Sequence, residues 1–97
     1  MKIGFIGIGA MGKPMAINLL NAGFQLTVYD LNRDAVRQMV ETGARSAATP
    51  KELAAGADVV ITMLPNFDVV RSVLDGAEGV LAGAREGAVI IDMSTVA

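Results

Sequence analysis

The sequence predicts an α/β fold built on a parallel sheet, and three observations lead to this prediction. Short apolar runs alternate along the 97 residues with amphipathic helical segments. The runs contain many β-branched and few polar residues, which is typical of strands covered by helices on both faces. Glycine or proline lies at the junctions between segments. Since successive strands joined by helices form right-handed crossovers, the strands are expected to be parallel.

Composition narrows the classes of function. The length suits one domain, the net charge is −2, and the lysines and arginines are scattered, so we expect neither nucleic acid nor a membrane as a partner. The chain has no cysteine and no histidine, which excludes disulfides, thiolate chemistry and imidazole catalysis. We predict no metal site and a cytoplasmic protein.

The first unit joins a strand at residues 3–6 to a helix through a glycine cluster. Gly7, Gly9 and Gly12 have the spacing G-x-G-x-x-G, and the helix is predicted over residues 10–21. Apolar residues recur along one helical face at spacings of four and three: Met11, Met15, Leu19 and Ala22.

The second unit begins with a strand at residues 25–29, which ends at Asp30. Asn32 is a suitable N-cap for the helix that follows, and Gly43 is a suitable stop. Residues 44–47 are a candidate for a short third strand. The pattern up to this point is therefore strand, helix, strand, helix.

The second half repeats this alternation. A capping box beginning at Thr49 predicts a short helix that ends at Gly56. Residues 58–64 are almost wholly apolar and predict a central strand, which Pro65 breaks. A further helix and a glycine-rich turn region lead to a last strand at residues 88–91.

Together these elements predict a Rossmann-type, doubly wound parallel sheet. The complete fold has six strands. The sequence provides four strands and one short candidate, so we expect the last strand or strands to be missing. We interpret residues 1–97 as one domain whose sheet is incomplete.

The glycine spacing has a chemical reason. Gly7 permits a tight turn, Gly9 lets the backbone approach a pyrophosphate, and Gly12 allows the helix to lie close to the strand. The start of the helix then offers amide N–H groups and the positive end of its dipole to the phosphates. We expect coenzyme contacts from the whole turn: Gly7, Ile8, Gly9, Ala10, Met11 and Gly12. A turn that binds no ligand is the alternative.

Asp30 lies 18 residues beyond Gly12, where a carboxylate can accept hydrogen bonds from the adenosine ribose. The same charge repels a 2′-phosphate, so NAD is favoured over NADP. The neighbouring Asn32 and Arg33 are included in the predicted site. The guanidinium of Arg33 leaves NADP possible, although a solvated side chain on the first helical turn is the favoured interpretation.

Residues at the ends of other strands are also candidates, because ligands of open α/β sheets lie across the carboxyl edge. Leu64 and Pro65 are expected to form a wall beside the nicotinamide ribose. The Thr95 hydroxyl is expected to bond to it, or to cap a following helix.

Five segments together resemble one enzyme family. They are GFIGIGAMGKPMAINLLNAGF, VYDLNRDAV, DVVITMLPN, GVLAGA and IDMST. This chain resembles the N-terminal domain of the β-hydroxyacid dehydrogenases, which include 3-hydroxyisobutyrate dehydrogenase and 2-hydroxy-3-oxopropionate reductase. Their coenzyme domain is related to that of 6-phosphogluconate dehydrogenase.

The resemblance implies that residues 1–97 are the N-terminal, NAD(P)-binding domain of a longer enzyme. It also implies hydride transfer between NAD(P) and a small 3-hydroxy acid or semialdehyde. It implies coenzyme contacts from the glycine turn, Asp30, Leu64, Pro65 and Thr95. The family's catalytic lysine lies in a helical C-terminal part, so no catalytic residue is expected in this chain, which alone is expected to be inactive. A homo-oligomer is possible, and a nucleotide-binding module without catalysis remains the alternative of another class.

Overall fold

The computed structural model describes residues 1–93, except for the side chain of Phe67. The described elements follow one another in this order: β1 (Lys2–Ile6), α1 (Gly12–Asn21), β2 (Gln25–Tyr29), α2 (Arg33–Thr42), β3 (Arg45–Ser46), α3 (Pro50–Ala55), β4 (Val59–Thr62), α4 (Phe67–Asp75), α5 (Val80–Gly83) and β5 (Val89–Asp92). Within residues 1–93 no helix combines the length and the apolar character that crossing a membrane requires.

The strands form one parallel sheet in the order β3-β2-β1-β4-β5. The predicted α/β class and parallel sheet are therefore confirmed, and the order is that of the first five strands of the doubly wound fold. The strand predicted to be central, β4, has a neighbour on each side, while β1 occupies the middle. Four of the five β1 residues are buried, since helices cover both faces of the sheet.

Two apolar clusters fill the space between the sheet and the helices. On one face α1 and α2 pack on β1 and β2, with Phe5, Val28 and Met39 fully buried. On the other face α3, α4 and α5 pack around Leu53 and Val80. Each layer covers one side of the central strand β1. Because all the strands are parallel, their carboxyl ends lie at the same edge of the sheet.

The predicted helix boundaries agree with the structure where a polar cap defines them. The Asn32 side chain accepts hydrogen bonds from the amides of Asp34 and Ala35 at the start of α2. The Thr49 side chain accepts one from the Glu52 amide at the start of α3. Gly43, with φ +124°, follows the end of α2, as the sequence predicted.

The structure differs from the prediction in two boundaries near the glycine turn and in one additional helix. Helix α1 begins at Gly12 instead of Ala10, and Met11 is 66% exposed instead of lying on the buried stripe. Strand β4 ends at Thr62 instead of Leu64, because its partner β1 ends at Ile6, directly opposite Thr62. The glycine-rich region contains the short helix α5, which was not predicted because glycine is a poor helix former. The burial of Val80 explains why the helix forms.

A polar cluster joins the amino ends of three strands, opposite the predicted site. The Asp58 carboxylate accepts a hydrogen bond from the Lys2 amide at 2.8 Å and pairs with the Arg85 guanidinium at 2.7 Å. The backbone of Asp58 bonds to Lys2 and to Val89. The hydrogen bond from the Lys2 amide lowers the pKa of Asp58 most strongly. Desolvation opposes this shift in part, while the charge and the hydrogen bond of Arg85 lower the pKa further.

This cluster predicts a pH-dependent stability. A depressed pKa in the folded state contributes stability above the unfolded value of about 3.9, and that contribution is lost as pH falls through the folded value. We therefore expect Asp58→Asn to lower the free energy of unfolding at pH 7, with the difference from the original chain shrinking below about pH 4. Urea unfolding at several pH values measures this. Asp75→Asn is the control, because its exposed pair with Arg71 contributes little. A difference for Asp58→Asn that does not vary with pH would contradict the assignment.

Candidate coenzyme-binding site

The site lies where the order of the strands reverses. The chain runs outward from β1 through β2 to β3, and then crosses to the other side of β1 to form β4 and β5. At such a switch point the connections leave the sheet in opposite directions and open a crevice at the carboxyl edge. The glycine turn after β1 and Leu64 after β4 both lie at this crevice.

The backbone at the end of β4 allows only glycine at position 7. Its φ is +95°, and a Cβ placed there would overlap the carbonyl oxygen of Met63. The Gly7 amide donates to the Tyr29 carbonyl at 3.1 Å. A tight turn directly over the end of β4 therefore requires glycine, for both its conformation and its lack of a side chain.

Gly12 is required for a different reason. A Cβ at this first residue of α1 would overlap the Gly7 carbonyl oxygen and stand 3.2 Å from the ring of Phe5. The helix can thus begin close to the strand only if this residue has no side chain, which is the packing role that the spacing predicts.

Gly9 differs from both. Apart from its chain neighbours, no atom of the described residues lies within 4 Å of the position that its Cβ would take; its φ is not positive, and the residue is exposed. Nothing in the described part of the protein therefore demands glycine at this position. The space is open to a ligand, as expected if Gly9 allows an anion to approach the backbone.

The start of α1 also lacks the side-chain cap that α2, α3 and α4 have. Asn32, Thr49 and Asn66 cap α2, α3 and α4 through side-chain hydrogen bonds, whereas Met11 forms none at the start of α1. The first amides of a helix need acceptors, which side chains, water or a bound anion can provide. Ala10 and Met11 are exposed beside this helix end.

Asp30 contacts the glycine turn directly. Its Oδ2 accepts a hydrogen bond from the Ile8 amide at 2.8 Å, and its Oδ1 accepts one from the Asn32 amide at 2.8 Å. The Ile8 side chain is buried in the core, so both the amide and the side chain of this residue contact the protein. The structure thus brings the predicted ribose-binding carboxylate and the predicted phosphate-binding turn together.

Asn32 and Arg33 have different surroundings. The Asn32 side chain is occupied as the cap of α2. Arg33 is exposed, and its side chain has no ion pair or hydrogen bond among the described residues. Arg33 therefore stands on the first turn of α2, three residues after Asp30, and its guanidinium has no partner in residues 1–93.

Two cavities flank Asp30. A cavity of about 420 Å³ lies between Leu31 and the exposed face of α4, where Val69, Ser72 and Val73 line it. A second of about 610 Å³ lies between α2 and the end of β3, and its lining includes Asp30 and Arg33. The first cavity is mainly apolar, and its lining includes Tyr29 and Leu31, the chain neighbours of Asp30. Such a cavity suits a flat ring attached to a ribose.

The apolar cavity contains residues that the sequence analysis missed. Leu31 is 85% exposed, which is unusual for a leucine directly after a strand. Its position next to Asp30 was the feature of the sequence that could have identified Leu31 as a site residue. Val69 and Val73 had no comparable signal, since they match the apolar face of a helix as well as the wall of a binding cavity.

The remaining predicted residues lie at the ends of β4 and β5. Leu64 is half-buried, and its side chain approaches Gly7, while Pro65 is exposed. The Thr62 hydroxyl donates to Asp92 Oδ1 at 3.0 Å and ties the two strand ends together. Thr95 lies outside the described residues. In the described part of the chain no three acidic residues are grouped to hold a metal ion.

Comparison with known proteins agrees with this geometry. The family model of the NAD binding domain of 6-phosphogluconate dehydrogenase matches residues 2–97. The 3-sulfolactaldehyde reductase of Escherichia coli K12 is 54% identical over 94 residues, which cover 97% of this chain and 32% of that enzyme.

Two solved structures extend the comparison. Mycobacterium tuberculosis 3-hydroxyisobutyrate dehydrogenase with L-serine has a TM-score of 0.89 at 40% identity, covering 99% of this chain and 32% of that one. Psf3 in complex with NADP⁺ and 2-OPP has a TM-score of 0.89 at 27% identity, covering 98% and 34%. The chain thus spans about a third of the length of these relatives, by the shares just given.

A switch-point crevice with a glycine turn and a carboxylate at the end of the second strand defines a dinucleotide-binding domain. More specifically, the chain belongs to the family of NAD-binding domains of the 6-phosphogluconate dehydrogenase type, as found in β-hydroxyacid dehydrogenases related to 3-hydroxyisobutyrate dehydrogenase. The predicted family and the predicted nicotinamide coenzyme are confirmed. The individual coenzyme-binding residues stay predictions.

Proposed function

We propose that this chain is the coenzyme-binding part of an oxidoreductase that transfers a hydride between NAD(P) and a small 3-hydroxy acid or semialdehyde. The observation that carries the proposal is the exposed Gly9, beside a helix start without a side-chain cap. In residues 1–93 only its chain neighbours come near the position of its absent side chain. The names of the relatives, one an aldehyde reductase and one a 3-hydroxy acid dehydrogenase, support the substrate class.

Each part of the coenzyme has a suitable partner. The amides from Gly9 to Gly12 would receive the pyrophosphate, and Asp30 would accept the ribose hydroxyls. The cavity between Leu31 and α4 would take the adenine ring. Leu64 and Pro65 would lie beside the nicotinamide ribose, with Thr95 as the remaining predicted contact.

The bound nicotinamide would supply the hydride chemistry, because none of the residues in this chain is a redox group. The contribution of the chain is to bind and orient the coenzyme at the open edge of the sheet. The substrate-binding groups and the catalytic lysine implied by the family lie, in this proposal, in a further part of the protein. A cytoplasmic location and a homo-oligomeric state remain predictions.

A titration tests the proposal. We expect saturable binding of NADH and of NADPH by the folded chain, measured by calorimetry, with NADH bound more tightly because the carboxylate of Asp30 repels a 2′-phosphate. Absence of saturable binding by a folded sample would overturn the coenzyme role. Tighter binding of NADPH would overturn the assigned preference and would favour Arg33 as a phosphate ligand.

Asp30→Ala should narrow the preference between the two coenzymes. The substitution removes both an acceptor for the ribose hydroxyls and the charge that repels a 2′-phosphate, so the ratio of the NADPH and NADH dissociation constants should fall by roughly tenfold. Asp34→Ala removes the same charge from an exposed position on α2 and is the control. An unchanged ratio for Asp30→Ala would show that this carboxylate does not read the ribose.

A further inference from the structure

The Asp30 side chain continues the hydrogen bonding between β1 and β2 beyond the end of the strands. Ile6 and Tyr29 are the last paired residues, and the Gly7 amide then donates to the Tyr29 carbonyl. The next amide, that of Ile8, finds no backbone acceptor there and donates instead to Asp30 Oδ2 at 2.8 Å. The Asp30 carboxylate thus adds one more hydrogen bond between the two chain segments that follow β1 and β2.

We propose that Asp30 is a positioning residue for the phosphate-binding turn, in addition to its role at the ribose. The inference rests on the proposed coenzyme function and adds a second task to one of its residues. Hydrogen bonds to a carboxylate are stronger than those between neutral groups, so this contact is well suited to fix a short turn.

The geometry of the turn shows what the contact holds. Ile8 is fixed on one side by its buried side chain and by the carboxylate, and Gly12 is fixed on the other by close packing on Gly7. The exposed Gly9 and Ala10 span the interval between them. The direction of the amides in that interval therefore depends on where Ile8 is held.

The second oxygen restricts the carboxylate further. Oδ1 accepts from the Asn32 amide at 2.8 Å, so rotation about the Cβ–Cγ bond would break two hydrogen bonds at once. An asparagine at this position could satisfy only one of the two amides with its oxygen, because its other terminal atom is a donor. The carboxylate is therefore the only side chain of this size that can accept both bonds.

The two roles predict opposite effects on a ligand that lacks ribose hydroxyls. If Asp30 only reads the ribose, its removal should leave such a ligand unaffected or bound more tightly, because a negative charge near the diphosphate is lost. If Asp30 also holds the turn, its removal should weaken that ligand, because the phosphate-binding amides lose their fixed direction.

The experiment compares ADP with 2′,3′-dideoxy-ADP by calorimetry. We expect Asp30→Ala to weaken dideoxy-ADP binding by roughly five- to tenfold and to weaken ADP further. Asp30→Asn, which keeps the size of the side chain, should weaken dideoxy-ADP to a smaller degree. Asp34→Ala, with the same loss of charge, should leave it unchanged or slightly tighter. Dideoxy-ADP bound equally well or better by Asp30→Ala would overturn the proposal.

A measurement without ligand separates this proposal from the coenzyme function. Hydrogen exchange of the Ile8 amide, followed by NMR, should speed up by about tenfold in Asp30→Ala, while the Gly7 amide, which bonds to backbone, should change much less. Asp34→Ala should alter neither amide. Unchanged exchange at Ile8 would overturn the positioning role, whereas failure of both ADP ligands to bind the original chain would overturn only the coenzyme function.

Discussion

Gly9→Ala is expected to weaken coenzyme binding by roughly 10- to 100-fold while leaving the chain folded. Among the residues that the structure describes, none beyond the chain neighbours has an atom within 4 Å of the new methyl group. Its effect therefore falls on the ligand, which must approach the backbone at the place that the methyl group would occupy. Calorimetric titration with NADH gives the change in affinity, and urea unfolding gives the change in stability.

Gly56→Ala is a matched control for this substitution. Gly56 also has a negative φ, and the nearest atom to its absent Cβ is 4.0 Å away, but it follows α3, away from the glycine turn. We expect its alanine variant to bind NADH like the original chain. If Gly9→Ala binds NADH as tightly as Gly56→Ala does, the open space at Gly9 is not the pyrophosphate site.

Gly7→Ala should have the largest effect on stability. A side chain at φ +95° costs roughly 1–2 kcal/mol, and its overlap with the Met63 carbonyl adds a further cost of about 1–3 kcal/mol. The combined loss is a large fraction of the roughly 5–15 kcal/mol that stabilises a domain of ordinary size. Urea unfolding followed by circular dichroism measures this loss.

Gly23→Ala separates the two contributions to that loss. Gly23 has nearly the same φ, +92°, but in the described part of the chain only its two neighbours lie near its absent Cβ, with nothing else within 4 Å. Its alanine variant should therefore show only the conformational cost of roughly 1–2 kcal/mol. Equal destabilisation by the two variants would mean that the turn moves away from β4 without cost, and that close packing does not fix Gly7.

The sequence was informative about the site because the signals for it are local. A tight turn, a helix start and a carboxylate after a strand each depend on a few neighbouring residues, and Gly7, Gly12 and Asp30 have the predicted positions. The boundary of β4 was wrong because a strand ends where its partner ends, and the partner is distant in sequence. Helix α5 was missed because burial of Val80 against distant residues outweighs the poor helix propensity of its glycine-rich surroundings.

By itself, the sequence determined the class of fold, the parallel sheet, the glycine turn and the nicotinamide coenzyme. These depend on periodicity, on glycine spacing and on the similarity of whole segments to a known family. Only the tertiary structure decided which glycine leaves space for a ligand, that Leu31 and α4 enclose a cavity, and that the carboxylate of Asp30 holds the amide of Ile8. The physical reason is that these features are distances between residues 22 or more positions apart in the chain, which only the pairing of the strands brings together.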